Sequence, residues 1–309
     1  MTGMAWIPGG TFRMGSDRHY PEEAPVHSVA VEGFWIDRTP VTNSDFARFV
    51  AATGYVTHAE RPPRAEDYPG AKPEALVPAS VVFRQPRHAV DLRDVHNWWT
   101  YVPGADWRHP RGPQTTIIAS GNHPVVQIAF ADAEAYAAWA GKSLPTEAEW
   151  EFAARGGFDG AEFAWGDELR PGGRVMANTW HGTFPHQNLL PRCQGTTAVG
   201  SYPPNRYGLH DMIGNCWEWT SDWYQAHRKA ADGCCGDAGD TSRLREASID
   251  PRDPAAIPRK VMKGGSYLCA PNYCRRYRPA ARMAQPIDTA TCHLGFRCVI
   301  RPGGKAESD

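Results

Sequence analysis

No cysteine occurs in this 309-residue chain before Cys193, the first of eight. A disulfide framework would spread its staples through a small, core-poor domain, so reduced thiols are expected here. An excess of charge of either sign is also lacking: 33 Lys and Arg against 34 Asp and Glu leave a net charge of -1. That balance gives no electrostatic footprint for nucleic acid or for an anionic membrane. No apolar run approaches membrane-spanning length, and the N-terminus shows no basic region followed by an apolar core. These absences predict a cytoplasmic protein that acts on a neutral or peptide-like partner; a monomer is expected. Internal repeats and low-complexity linkers are missing too, which makes one domain over residues 1–303 the simplest organisation, with 304–309 as a disordered tail.

Glycine and proline are abundant, at 30 and 27 residues, and readable helices are few. Thr42 or Asn43 caps a helix carrying Phe46, Phe49 and Val50 at helical spacing, and Gly54 ends it. A second covers Ala131 to Ala140. A third runs from Glu147 to Arg155, opened by a Thr146/Glu149 capping box and stopped by Gly156. Strand-like runs are short: His27 to Val31, Gly33 to Asp37, Val125 to Ala129, Val261 to Tyr267 and Gly295 to Arg301. Residues 61–120 are rich in Pro, Trp and charge without sustained periodicity. The pattern predicts an irregular α+β domain with little regular secondary structure.

Chemistry concentrates in the segment from Lys263 to Arg278, where Cys269 and Cys274 lie five residues apart between Gly264-Gly265 and Arg275, Arg276 and Arg278. Zinc favours tighter cysteine spacing and needs two further ligands, which the sequence does not visibly supply. Two thiolates suit a soft, low-coordinate ion such as copper(I), or a reactive disulfide. Inward-pointing arginines would favour the thiolate form. Ser266 and Tyr273 place hydroxyls beside the thiols. Cys216, Cys292 and Cys298 read as small core residues, and Cys234-Cys235 as incidental surface residues. A second concentration, Asp211 to Trp223, holds three indoles and three acidic groups. Most of its aromatics read as core, and Asp211 with nearby carbonyls offers oxygen ligands for calcium.

Several segments together resemble the formylglycine-generating enzymes, and the cysteine positions resemble an actinobacterial member. They include Ile7 to Ser16, Glu22 to His27, Pro40 to Asn43, Asp106 to Pro110, His123 to Val126, Gly141 to Arg155, Gly214 to Trp219 and Leu294 to Arg297. Most of these mark a fold shared with non-catalytic domains and with sulfoxide synthases. The run Gly-Gly-Ser-Tyr-x-Cys-x4-Cys-x-Arg-Tyr-Arg singles out the reaction. A sulfoxide synthase would be expected to carry an additional helical domain with a histidine iron triad, and a lectin-type binding module would not need the cysteine pair.

The resemblance implies a fold related to C-type lectins and an oxidase acting on unfolded or nascent sulfatase. It converts the cysteine of a Cys-x-Pro-x-Arg motif to formylglycine with O2 and a thiol reductant. It further implies that Cys269 and Cys274 hold copper(I), that the substrate thiolate joins them, and that Ser266, Tyr273 and Arg276 line the oxygen and water site. For calcium it implies one site at Asp211, Met212, Gly214 and Cys216, and the start of another at Asn178 and Thr179. Two departures from the family pattern stand out. The later acidic element of the second calcium site is replaced by Asn188 to Cys193, and His293 stands where Asn often precedes Leu-Gly-Phe-Arg.

Overall fold

Helix ends are set by local chemistry. In a computed structural model describing residues 2–190, 195–227 and 241–303, α1 (Asn43–Thr53) is opened by Thr42, whose hydroxyl accepts from the Asp45 amide, and closed by Gly54 at φ 68°. The next helix, α2 (Phe130–Trp139), begins one residue earlier than the spacing predicts, because the Asp132 carboxylate accepts from the Ala129 amide. The third, α3 (Glu147–Arg155), has the expected Thr146/Glu149 capping box, and Gly156 ends it at φ 58°. A short exposed α4 (Thr241–Ala247) follows much later.

Strands in chain order are β1 (Met4–Ile7), β2 (Gly10–Met14), β3 (His27–Val31), β4 (Phe34–Asp37), β5 (Ala79–Phe83), β6 (Trp99–Pro103), β7 (Trp217–Trp223), β8 (Arg259–Lys263), β9 (Arg282–Pro286), β10 (Leu294–Gly295) and β11 (Val299–Ile300). They form a four-stranded sheet ordered β10-β7-β8-β9, a three-stranded sheet β1-β4-β11, and the ribbons β2-β3 and β5-β6. Near-terminal strands β1 and β11 both pair antiparallel with β4, which draws the two ends of the chain together.

Three expected strands differ from the fold. Val125 to Ala129 is not a strand: Gln127 sits at φ 63°, and that left-handed residue breaks the extended run. Val261 to Tyr267 stops at Lys263, because Gly264 and Gly265 adopt φ 96° and 71°. Gly295 to Arg301 is split into β10 and β11 where the buried Arg297 turns inward to the carboxylate of Glu218. The stretch 61–120, unreadable by periodicity, supplies β5, β6 and several single helical turns.

The main core packs Phe46, Phe49, Trp107, Tyr136 and Phe296 ring against ring. A smaller cluster of Trp98, Trp180, Phe184, Tyr267, Leu268 and Ala270 lies apart from it. This second cluster supports the segment between β8 and β9. Cys193, Cys234-Cys235 and the tail 304–309 fall outside the described residues.

Candidate active site

The two cysteines lie in the connection between β8 and β9, an antiparallel pair whose last partners are Lys263 and Arg282. Both of these cations are buried, and α3 meets them with Glu147 and Glu151. Lys263 Nζ donates to Glu151 at 2.8 Å and to Glu147 at 3.4 Å, and Arg282 binds both oxygens of Glu147 at 2.7 Å. Arg155 closes the other side of Glu151. Burial would raise the Glu147 carboxyl, but Lys263 and Arg282 outweigh it and hold the group well below the usual carboxylate range. The root of the segment is therefore fixed by paired charges in a water-poor interior.

Above that root the chain closes on itself. A Cβ on Gly265 would lie 2.8 Å from the Arg276 carbonyl, so the two ends of the loop touch only because glycine stands there. Tight turns follow, with Cys269 N–H donating to the Ser266 carbonyl and Cys274 N–H to the Ala270 carbonyl. They bring the Cys269 and Cys274 sulfurs to 3.2 Å, too far for a disulfide bond of about 2.05 Å, and both thiols are free. Cys269 is 2% exposed, and Cys274 is half-buried.

The site places the expected residues unequally. The hydrogen bond from Cys269 and the Arg276 guanidinium, whose Nη1 is 3.9 Å from the sulfur, bring the Cys274 thiol down to about 7 against the effect of burial. Burial pushes Cys269 up. Ser266 is fully buried; its amide donates to the Cys269 sulfur at 3.4 Å and its hydroxyl accepts from the Leu268 amide. Tyr273 lies at the surface of the site, its ring stacked on Phe184 at 4.7 Å and edge-on to Trp98. Of the three arginines expected beside the thiols, only Arg276 reaches them. Arg275 is drawn to Glu162 and Arg278 to the buried Glu23, because each finds a carboxylate there.

The segment 211–216 buttresses this loop from below. Gly214 N–H donates to the Gly264 carbonyl, and Tyr267 N–H donates to the Asn215 carbonyl. Trp217 and Trp219 are core, as read, while Trp223 carries the Lys260 ammonium 3.6 Å above its ring. Asp211 accepts from the Gly200 amide, and burial pushes its carboxyl up. Met212 and Cys216 are buried, and a Cβ on Gly214 would meet the Asn178 carbonyl at 2.5 Å. Asn178 is thus brought against Gly214 and Asn215, so the residues read as two calcium sites adjoin. Its side-chain oxygen is buried without a partner, an oxygen donor suited to a hard cation. Thr179 is half-buried beside it. Among the described residues, no three His, Cys, Asp or Glu side chains converge as a metal-holding group.

Two facing sulfurs, with no third His, Cys, Asp or Glu ligand among the described residues, suit a two-coordinate soft ion better than a four-ligand zinc site. Sequence comparison agrees on the family. The sulfatase-modifying factor enzyme 1-like domain matches residues 1–302. The chain belongs to the sulfatase-modifying factor family. It is 53% identical to the formylglycine-generating enzyme of Mycobacterium tuberculosis, covering 98% of this chain and 99% of that one. Against the formylglycine-generating enzyme of Thermomonospora curvata the identity is 45%, covering 97% and 94%. The solved structure of PvdO from Pseudomonas aeruginosa shares the fold, with a TM-score of 0.57 at 20% identity, covering 96% of this chain and 93% of that one.

Sequence reasoning missed the aromatic wall beside the thiols. Phe83, Trp98, Trp180 and Phe184 gather there from β5, the residue before β6 and the 177–184 stretch. The Trp98-Trp99 pair within an otherwise polar stretch was the available signal. It also missed Tyr20 and Glu22, which meet Arg276 from 254 or more residues away.

Proposed function

We propose that this member of the family is a copper-dependent oxidase that converts the cysteine of a Cys-x-Pro-x-Arg motif in sulfatases to formylglycine, using O2. The observation that carries the reading is the free, facing Cys269/Cys274 pair, the first buried and the second partly exposed. Copper(I) bound by the two sulfurs would supply the redox chemistry and accept the substrate thiolate beside them. The residues of the chain do the remainder. Cys269 anchors from inside, held by the Ser266 amide, and Cys274 faces the entering thiol. Arg276 sets a positive charge next to Cys274, where the approaching thiolate adds negative charge. The stacked Phe184 and Tyr273 rings offer an apolar edge for an extended peptide, and Trp98 keeps water from the inner side.

Calcium is proposed as a structural ion at a site drawing on Asp211, Met212, Gly214 and Cys216, and at a second one begun by Asn178 and Thr179, for which the partnerless Asn178 oxygen is the support. Reduced thiols suit a reducing compartment such as the cytoplasm, with a small thiol as electron donor. Among the described residues no helix is long and apolar enough to cross a membrane. The test is incubation of a Cys-x-Pro-x-Arg peptide with copper-loaded protein, O2 and reductant. A hydrazide-reactive aldehyde at the cysteine is expected; an unmodified peptide with fully loaded protein refutes the reading.

A further inference from the structure

Arg276 has two neighbours that the chemistry of the thiols does not itself require. Its Nε and Nη2 both donate to Glu22 Oε1, at 3.2 and 2.6 Å, and its guanidinium lies 3.8 Å from the ring of Tyr20. The Tyr20 hydroxyl accepts from the Arg275 amide at 3.0 Å, which pins the backbone one residue before. Glu23 then takes Arg278 in a buried ion pair, and the Ser16 amide donates to the Glu23 carbonyl at 3.1 Å. Residues 20–23 therefore grip the thiol loop at Arg275, Arg276 and Arg278.

Guanidinium geometry gives this grip a direction. A planar fork with five N–H groups points wherever its first partners allow. Glu22 occupies one edge and Tyr20 one face, which leaves Nη1 as the arm turned to the Cys274 sulfur at 3.9 Å. Without them a flexible arginine, itself only partly buried, would swing to water or to another carboxylate.

We infer that Glu22 and Tyr20 are positioning residues that aim Arg276 at the sulfur of Cys274, so that its charge stands ready when a third thiolate enters. The inference rests on the proposed reaction for its purpose, but the aiming itself is testable without turnover. Two readouts are taken for Glu22→Gln, each in the native background and in Arg276→Met. The first is formylglycine formation. The second is the alkylation rate of Cys274 by iodoacetamide in metal-free protein, followed by peptide mass analysis.

Glu22→Gln is expected to lower kcat on the order of tenfold, with KM little changed, and to slow alkylation. In Arg276→Met it should change neither readout, because the residue through which it acts is gone. Tyr20→Leu should behave in the same way and serves where Glu22→Gln does not fold. An equal loss in both backgrounds, or no loss in the native one, overturns the inference. If the native protein makes no aldehyde, the proposed reaction fails, while the alkylation cycle still decides the role of Glu22.

Discussion

The root and the tip of the β8–β9 connection are made of opposite materials. At the root, Lys263, Arg282, Glu147, Glu151 and Arg155 are buried and mutually paired. At the tip, two thiols face each other without a disulfide bond, and the neighbouring Trp98 indole N–H is buried without an acceptor. The difference separates two tasks. Charges satisfied in the interior set where the loop stands, and groups left incompletely satisfied above them are available for chemistry. A damaged root should lower stability, and a damaged tip should lower activity alone.

The largest effect should come from the tip. Cys269→Ala and Cys274→Ala are each expected to reduce peptide oxidation on the order of 10³-fold or more, with unfolding free energy moving by no more than about 1 kcal/mol. Loss of activity accompanied by a large loss of stability would erase the contrast. At the root, Lys263→Met leaves Glu147 and Glu151 short of a partner inside the protein and should cost about 3–5 kcal/mol in urea unfolding. A change near zero would show that the ionic lattice is not what holds the loop.

A smaller effect sharpens the comparison through pH. Burial pushes His293 down to about 3, while its ring packs on Trp99 and its Nδ1 meets the Thr291 hydroxyl. Because the folded value is depressed, the neutral ring is favoured in the fold. The stability it protects is complete above the unfolded value of about 6.5 and is lost as pH falls toward 3. Between pH 6 and 5 the native protein should lose up to about 1.4 kcal/mol more than His293→Asn. Parallel pH profiles would contradict this placement of the ring.

How far this arrangement was legible follows from what each feature depends on. Helices α1 and α3 were readable because Thr42, Gly54, Thr146 and Gly156 act within one turn of the backbone. The thiol pair was readable because both cysteines sit in one short segment closed by Gly264-Gly265. The strand expected at Val125 to Ala129 failed, since the left-handed Gln127 reflects its setting between Pro110 and Thr291, not its own propensity. For a related reason Arg275 and Arg278 do not reach the thiols. Glu162 and Glu23, distant in sequence, capture both side chains. The aromatic wall and the Glu22 contact were hidden because they exist only once separate parts of the chain are folded together.

Copper(I) binding, measured by competition with a colorimetric chelator under anaerobic conditions, tests the central claim most directly. The account predicts one tightly held ion per chain in the native protein and none in either Cys269→Ala or Cys274→Ala. Undiminished binding in both variants would contradict it.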